Sequence, residues 1–196
     1  MTLFKNKYRI ESIRLQTWDY SSRGYYFITI CVKNRIHALG YVNNGKMILS
    51  KQGQIVQEQW NDLINHYNNI ELDAFVVMPN HVHGIIIVTS VGAIHVGAIP
   101  VVGAIHELPL RRQQPTPIHI IRRKMLIPKI IGRFKMQSSK KINDCQNTNG
   151  QPFWQSRYYD HIIRNENSLY KIQRYINNNP LKWECDRNND TNLSAN

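Results

Sequence analysis

Along the chain the spacing of apolar residues switches between the period of a strand and that of a helix. Tyr25–Val32 (YYFITICV) is a run of aromatic and β-branched residues, which predicts a buried strand. Ala38–Val42 and Lys46–Ser50 flank Asn43-Asn44-Gly45, and Asn-Gly between apolar runs predicts a tight hairpin. Over Ser50–Tyr67 the period changes: Ile55, Val56, Trp60, Leu63 and Ile64 recur at helical spacing, with Ser50 and Gln54 placed to cap the start. Leu72–Met78 and His81–Thr89 then predict two strands. The Pro79-Asn80 turn between them is short enough to make them antiparallel neighbours. Ile120–Ile142 sets Ile127, Ile130, Ile131, Phe134 and Ser138 on one side and basic residues on the rest, a basic amphipathic helix with Pro128 in its first turn or just before it. Tyr158–Arg164 reads as a strand. A last helix starts at the cap residue Asn165 and carries an apolar stripe of Leu169, Ile172 and Ile176. It ends near Asn179, because Pro180 restricts the residue before it.

Between the second pair of strands and the basic helix the pattern breaks. SVGAIHVGAIPVVGAIHELPL repeats VGAI from Val91, Val96 and Val102, at spacings too short for a solenoid. With several prolines nearby, residues 90–118 are expected to be an inserted, poorly ordered loop. Residues 1–24 read as an arm or loop, and 186–196 as a polar tail, so one domain is expected over 1–185. Without the insertion the order is βαββαβ plus a final helix. That order predicts an α+β, ferredoxin-like sandwich: an antiparallel sheet with two helices on one face, and an appended C-terminal helix.

Charge changes the picture. The 196 residues hold 25 Lys and Arg against 13 Asp and Glu, a formal charge of +12. From Arg111 to Asn143 there are ten basic residues and no acidic one. Such an imbalance points to a polyanionic partner, nucleic acid ahead of a membrane surface. No apolar run is long enough to span a bilayer, and no signal-like segment opens the chain. Cys31, Cys145 and Cys185 form no CxxC and no disulfide framework. The expectation is a cytoplasmic protein without membrane contact.

Two sets of residues offer chemistry. In His81-Val82-His83, positions i and i+2 of a strand point to one face about 6.5–7 Å apart, so two imidazoles can converge on one metal ion while Val82 turns to the other face. An ordinary pair of strand histidines is the competing reading. By ligand softness alone, two imidazoles favour zinc. On the last helix, Tyr175 and Asn179 lie one turn apart. A tyrosine hydroxyl is a possible covalent nucleophile, and a carboxamide oxygen is a hard ligand for a divalent ion. A half-buried aromatic and a helix-end asparagine would look the same, and Tyr158, Tyr159 and Tyr170 are rivals for the nucleophile. Phe153, Trp154 and Tyr158 suit either core packing or stacking on unpaired bases.

The segments RIESIRLQTWDYSSRGYYFITICVKNR, MPNHVHGIII, IIGRFKMQSSKKIN and WQSRYYDHIIRNENSLYKIQRYINNNPLKW, in this order, resemble the REP-associated tyrosine transposases. These are IS200-like members of the HUH single-stranded DNA transposases. The resemblance covers roughly residues 8–89 and 120–184 and leaves out the VGAI segment. It implies a ferredoxin-like nuclease that cuts and joins single-stranded or hairpin DNA through a 5′-phosphotyrosine link. It places the histidine pair on His81 and His83, the nucleophile on Tyr175 and the third metal ligand on Asn179. The metal it implies is Mg²⁺ or Mn²⁺, against the softness argument. Arg133, Lys135, Lys140 and Lys141 would hold DNA phosphates. The implied setting is the bacterial cytoplasm at the nucleoid, as a monomer or homodimer. The alternatives are a hairpin-binding regulator that does not cut, and a metal-dependent phosphoesterase or RNA nuclease without a covalent intermediate.

Overall fold

A computed structural model of the chain describes residues 3–4, 7–8, 18–89, 125–186 and 188–189. The expected insertion at 90–118, the first residues of the expected basic helix and most of the N-terminal arm lie outside them.

The first long strand, β1 (Gly24–Cys31), runs through the middle of the sheet. A hairpin follows, β2 (Gly40–Asn43) and β3 (Lys46–Leu49), paired among the described residues only with each other. Its turn has φ of 49° at Asn44 and 70° at Gly45. This is the left-handed pair that a two-residue hairpin turn needs and that Asn-Gly supplies most easily. Helix α1 (Lys51–Asn61) is capped by Ser50, whose hydroxyl accepts from the Gly53 amide at 3.1 Å. Gly53, not Gln54, is the capping partner. A β-carbon there would sit 2.1 Å from the Leu39 carbonyl oxygen, so only glycine lets the helix approach the hairpin. The helix is shorter than its period suggested; it tightens to a 3-10 turn over Asp62–Asn65.

Strands β4 (Ile70–Val77) and β5 (His81–Val88) form the expected antiparallel pair, with an irregularity between Leu72 and Phe75. Helix α2 (Leu126–Gln146) carries Pro128 in its first turn and ends at Asn147 in the left-handed region. Strand β6 (Tyr159–Ile163) and helix α3 (Glu166–Asn177) complete the chain, α3 being capped by Asn165, which accepts from the Ser168 amide at 2.8 Å. The sheet order is β4-β5-β1-β6, antiparallel at every pairing. The first and last strands of each half thus sit as the βαββαβ order requires, and the fold is the α+β, ferredoxin-like sandwich.

Strand alternation sorts the residues between two cores. Tyr26, Ile28, Ile30, Val82, Ile86 and Val88 face α1 and α2, where Ile127, Ile130, Ile131 and Phe134 close the larger core. Trp60 stacks on Phe75 at 4.6 Å between centroids and meets Phe134 edge-on at 5.4 Å. Gly84 leaves room for that indole: a β-carbon there would lie 2.3 Å from it. Phe27, Ile85 and Ile163 face the other way and are covered by Ile176, with Leu169 and Ile172 beside it on α3. Trp154 is buried, donating to Ser138 Oγ at 2.8 Å, and Phe153 and Tyr158 pack against the same larger core. All three aromatics with a possible stacking role therefore contribute to packing. Among the described residues no helix is long and apolar enough to cross a membrane.

Candidate active site

The strand period decides where the histidines point. Val82 faces α1 and α2, so His81 and His83 face α3, together with Phe27 and Thr29 of β1. Both imidazoles are 0% exposed. Their Nε2 atoms lie 3.0 Å apart. Each Nδ1 has its own partner. Thr29 Oγ1, directly across the ladder from His83, is 2.8 Å from His83 Nδ1. Asn80 Oδ1 is 2.8 Å from His81 Nδ1. The Asn80 amide nitrogen is spent on the Asn188 carbonyl at 2.7 Å, so its oxygen accepts and His81 Nδ1 donates. In the neutral ring the lone pair of His81 Nε2 then faces His83 Nε2.

Helix α3 brings Tyr175 over this pair. Its hydroxyl is 3.1 Å from His83 Nε2, and its ring meets Phe27 edge-on at 6.2 Å. Phe27 in turn stacks on the His83 ring at 5.3 Å, so one phenylalanine fixes both groups. Tyr175 is 38% exposed and lines two surface cavities. Of its rivals, Tyr170 points elsewhere, 61% exposed under the Arg174 guanidinium, and Tyr159 lies on β6 against Phe27.

Beyond α3 the chain turns back. Pro180 opens a 3-10 segment, Pro180–Cys185, which lays Trp183 against the His81 ring at 6.1 Å between centroids. Asp186 follows and returns to the histidines. Ligand atoms of His81, His83 and Asp186 all lie within 4.8 Å of one another, and all three residues are buried. Asn179 is 2% exposed and donates through Nδ2 to Asp186 Oδ2 at 3.1 Å, while its buried Oδ1 has no hydrogen-bond partner among the described residues.

This donor set fits a divalent cation. Two neighbouring nitrogen ligands about 2.1 Å from one ion at a right angle would be about 3 Å apart, which is the separation of the two Nε2 atoms. Both Nδ1 atoms are held by outer partners, the usual arrangement around ligating imidazoles. The orphaned Asn179 oxygen is a buried acceptor that costs free energy unless something binds it. Hard carboxylate and carboxamide oxygens add what two imidazoles lack for Mg²⁺ or Mn²⁺.

The structure therefore brings together His81, His83, Tyr175 and Asn179. Helix α2, which carries the four basic residues, packs on the opposite face of the sheet. Arg133 Nη2 is 2.8 Å from His66 Nε2, which lies 2.9 Å from Asp62 Oδ2. Hydrogen bonds from Asn65 and His66 hold the Asp62 carboxyl below the usual carboxylate range. Lys140 and Lys141 are exposed. Lys135 donates to the Gln155 and Ser156 carbonyls, tying α2 to the segment that enters β6. Lys135→Ala is accordingly expected to lower stability by about 1 kcal/mol, the scale of an ordinary hydrogen bond, since the contact is only partly buried, whereas Lys140→Ala is expected to be near neutral. Thermal unfolding of the two variants checks this; equal melting temperatures would show that the tie contributes nothing.

Cations that sequence reasoning did not single out stand at the site instead. Lys182 lines two cavities that flank Tyr175, one of about 210 Å³ shared with Lys171 and Arg174 and one of about 430 Å³ shared with Asn179 and Asp186. Arg35 and Arg157 line a third, of about 350 Å³, that reaches Thr29. Asn34 and Arg35 reach their places with φ of 55° and 54°, a left-handed pair without glycine. Asp186 was missed because a polar sequence after the last helix carries no sign that it folds back.

Comparison with known proteins agrees with this geometry. Residues 118–179 match a family model described as "Transposase IS200 like". An uncharacterized protein of Haemophilus influenzae is 37% identical over 180 residues, covering 90% of this chain and 91% of its own. A solved REP-associated tyrosine transposase bound to a REP hairpin has the same fold, with a TM-score of 0.50 at 20% identity, over 90% of this chain and 73% of that one.

Proposed function

The chain belongs to the IS200-like transposase family, and from that premise we propose that it is a metal-dependent tyrosine nuclease and strand transferase acting on single-stranded, hairpin-forming DNA. The observation that carries the reading is the contact of Tyr175 with the histidine pair: the hydroxyl of a partly exposed tyrosine 3.1 Å from a buried imidazole that faces a second one. The hairpin bound by the structural relative supports the choice of DNA form.

The reaction divides among this chain's residues as follows. Tyr175 Oη forms a bond to the phosphorus of one phosphodiester and gives up its proton. The bond from phosphorus to the 3′-oxygen breaks, and that oxygen takes a proton and leaves as a 3′-hydroxyl. The 5′-phosphate stays on Tyr175, so a second 3′-hydroxyl can reverse the step without an outside energy source. His81, His83 and Asn179 would hold Mg²⁺ or Mn²⁺, which when bound supplies Lewis-acid polarisation of the phosphate. Phe27 fixes the angle between tyrosine and imidazole, a positioning role. Lys182 and Arg174 place positive charge beside Tyr175, where phosphate charge must be received. The basic face of α2 would add sequence-independent hold on DNA away from the reacting centre. The proposed setting is the cytoplasm, at the nucleoid.

The test is incubation of the protein with labelled single-stranded hairpin DNA and Mn²⁺ or Mg²⁺, followed by a denaturing gel. A protein–DNA adduct of fixed size is expected. Binding without cleavage would instead make this chain a hairpin-binding regulator, and cleavage without adduct a phosphoesterase.

A further inference from the structure

We propose that Asp186, which follows the turn after α3, is itself a ligand of the divalent ion held by His81 and His83. The inference rests on the metal-dependent reading above and extends it to a residue from another part of the chain.

Three observations point to Asp186. Its carboxylate lies within the same 4.8 Å cluster of ligand atoms as the two imidazoles, and at 8% exposure it is withdrawn from water. Taking a carboxylate out of water is costly unless a cation or several donors face it. Its oxygens are also oriented from both sides. Oδ1 accepts from the Asn188 amide at 2.6 Å and Oδ2 from Asn179 Nδ2 at 3.1 Å. Asn80 holds the same strap, since it joins His81 Nδ1 to the Asn188 carbonyl. One hydrogen-bonded chain thus runs from His81 through Asn80 and Asn188 to Asp186 and Asn179. The groups that position the imidazole also position the carboxylate.

The chemistry agrees with the placement. Two neutral imidazoles leave the double charge of a divalent ion uncompensated. One carboxylate lowers it to a single net charge and supplies the hard oxygen that Mg²⁺ and Mn²⁺ prefer. Two histidines and one carboxylate leave open positions for further oxygen ligands. Asn179 then has two roles: its nitrogen orients Asp186, and its unpartnered Oδ1 remains the acceptor to be satisfied.

The experiment is Mn²⁺ titration of the full chain without DNA, by calorimetry and by thermal unfolding with and without the ion. The proteins are the parent chain, Asp186→Asn, Asp186→Glu and His81→Ala. Asp186→Asn keeps an acceptor for the Asn188 amide and removes the charge. It is expected to melt close to the parent without Mn²⁺, to bind Mn²⁺ at least tenfold more weakly, and to lose most of the Mn²⁺-induced rise in melting temperature. Asp186→Glu is expected to retain part of the affinity and gives the answer if the asparagine variant does not fold. Unchanged Mn²⁺ affinity in Asp186→Asn, with or without a lower melting temperature, would make Asp186 a structural clasp and overturn the proposal. Unchanged affinity in His81→Ala would fault the histidine site itself. Tight, Asp186-dependent Mn²⁺ binding without any DNA adduct would fault the nuclease reading and leave this inference standing.

Discussion

Tyr175→Phe is expected to abolish the covalent protein–DNA adduct and all strand joining, a loss of at least about 10⁴-fold, the scale on which removing a nucleophile acts, while the protein stays folded and binds hairpin DNA. The substitution removes one oxygen. The ring keeps its edge contact with Phe27 and its place over His83. What is lost structurally includes the hydrogen bond to His83 at a partly exposed position, worth about 1 kcal/mol. The chemical loss is total because neither of the rival tyrosines nearest in the fold stands over His83. Tyr170 lies on another side of the helix, 61% exposed, and Tyr159 sits on β6 beyond Phe27. Tyr170→Phe therefore serves as a control that keeps full adduct yield. Labelled hairpin DNA on a denaturing gel gives the first readout, and a mobility shift under native conditions gives the second. An adduct that survives in Tyr175→Phe would move the nucleophile to another residue. Cleavage that survives without an adduct would mean that water attacks directly and that the tyrosine only borders the site.

How far the sequence revealed the site depends on where each residue sits relative to a repeating element. His81 and His83 were legible because a strand fixes direction by parity: once Val82 belongs to the core, its neighbours must face away together. Tyr175 was legible only with the family pattern, since its spacing from Leu169, Ile172 and Ile176 fits an ordinary seam residue equally well. Asp186 was not legible. It lies past Pro180, in a segment without period, and reaches the histidines by a chain reversal that depends on tertiary contacts such as Trp183 on His81. The basic helix is a different case. Its charge was plain, but charge gives affinity for a polyanion and says nothing of which sheet face the helix covers. Lys135, one of those cations, has backbone carbonyls as partners. The fold was more legible than the site because turn chemistry and periodicity agree at almost every element: Asn44-Gly45, the Ser50 cap, the Asn165 cap and the stop before Pro180. The main departures are a shorter α1 and an α2 that runs on to Gln146, and both occur at helix ends, where tightening and left-handed caps decide the last turn.

His83→Ala is expected to reduce cleavage below detection and, unlike Tyr175→Phe, to weaken the protein itself. His83 is 0% exposed and sits at the centre of the site. Truncation opens a cavity beside Phe27, removes a stacked ring at 5.3 Å, and leaves Thr29 Oγ1 without the imidazole at 2.8 Å. A lost buried hydrogen bond and a cavity together cost about 2–4 kcal/mol, so the melting temperature falls even without metal. His81→Ala should behave similarly, because Asn80 loses the ring that it orients and Trp183 loses its neighbour. A metal role is separated from this structural cost by a conservative change. His83→Gln retains an amide that can reach Thr29 and fills most of the space, yet it replaces the imidazole nitrogen that faces His81. It is expected to recover much of the stability lost in His83→Ala and none of the cleavage, and its Mn²⁺ affinity is expected to stay low. Melting temperature, Mn²⁺ titration and adduct yield, measured side by side on the three variants, decide the matter. If His83→Gln regained both stability and cleavage, the pair would be a packing feature of the strand, and the polarisation of the phosphate would have to come from the cations around Tyr175, Lys182 first among them.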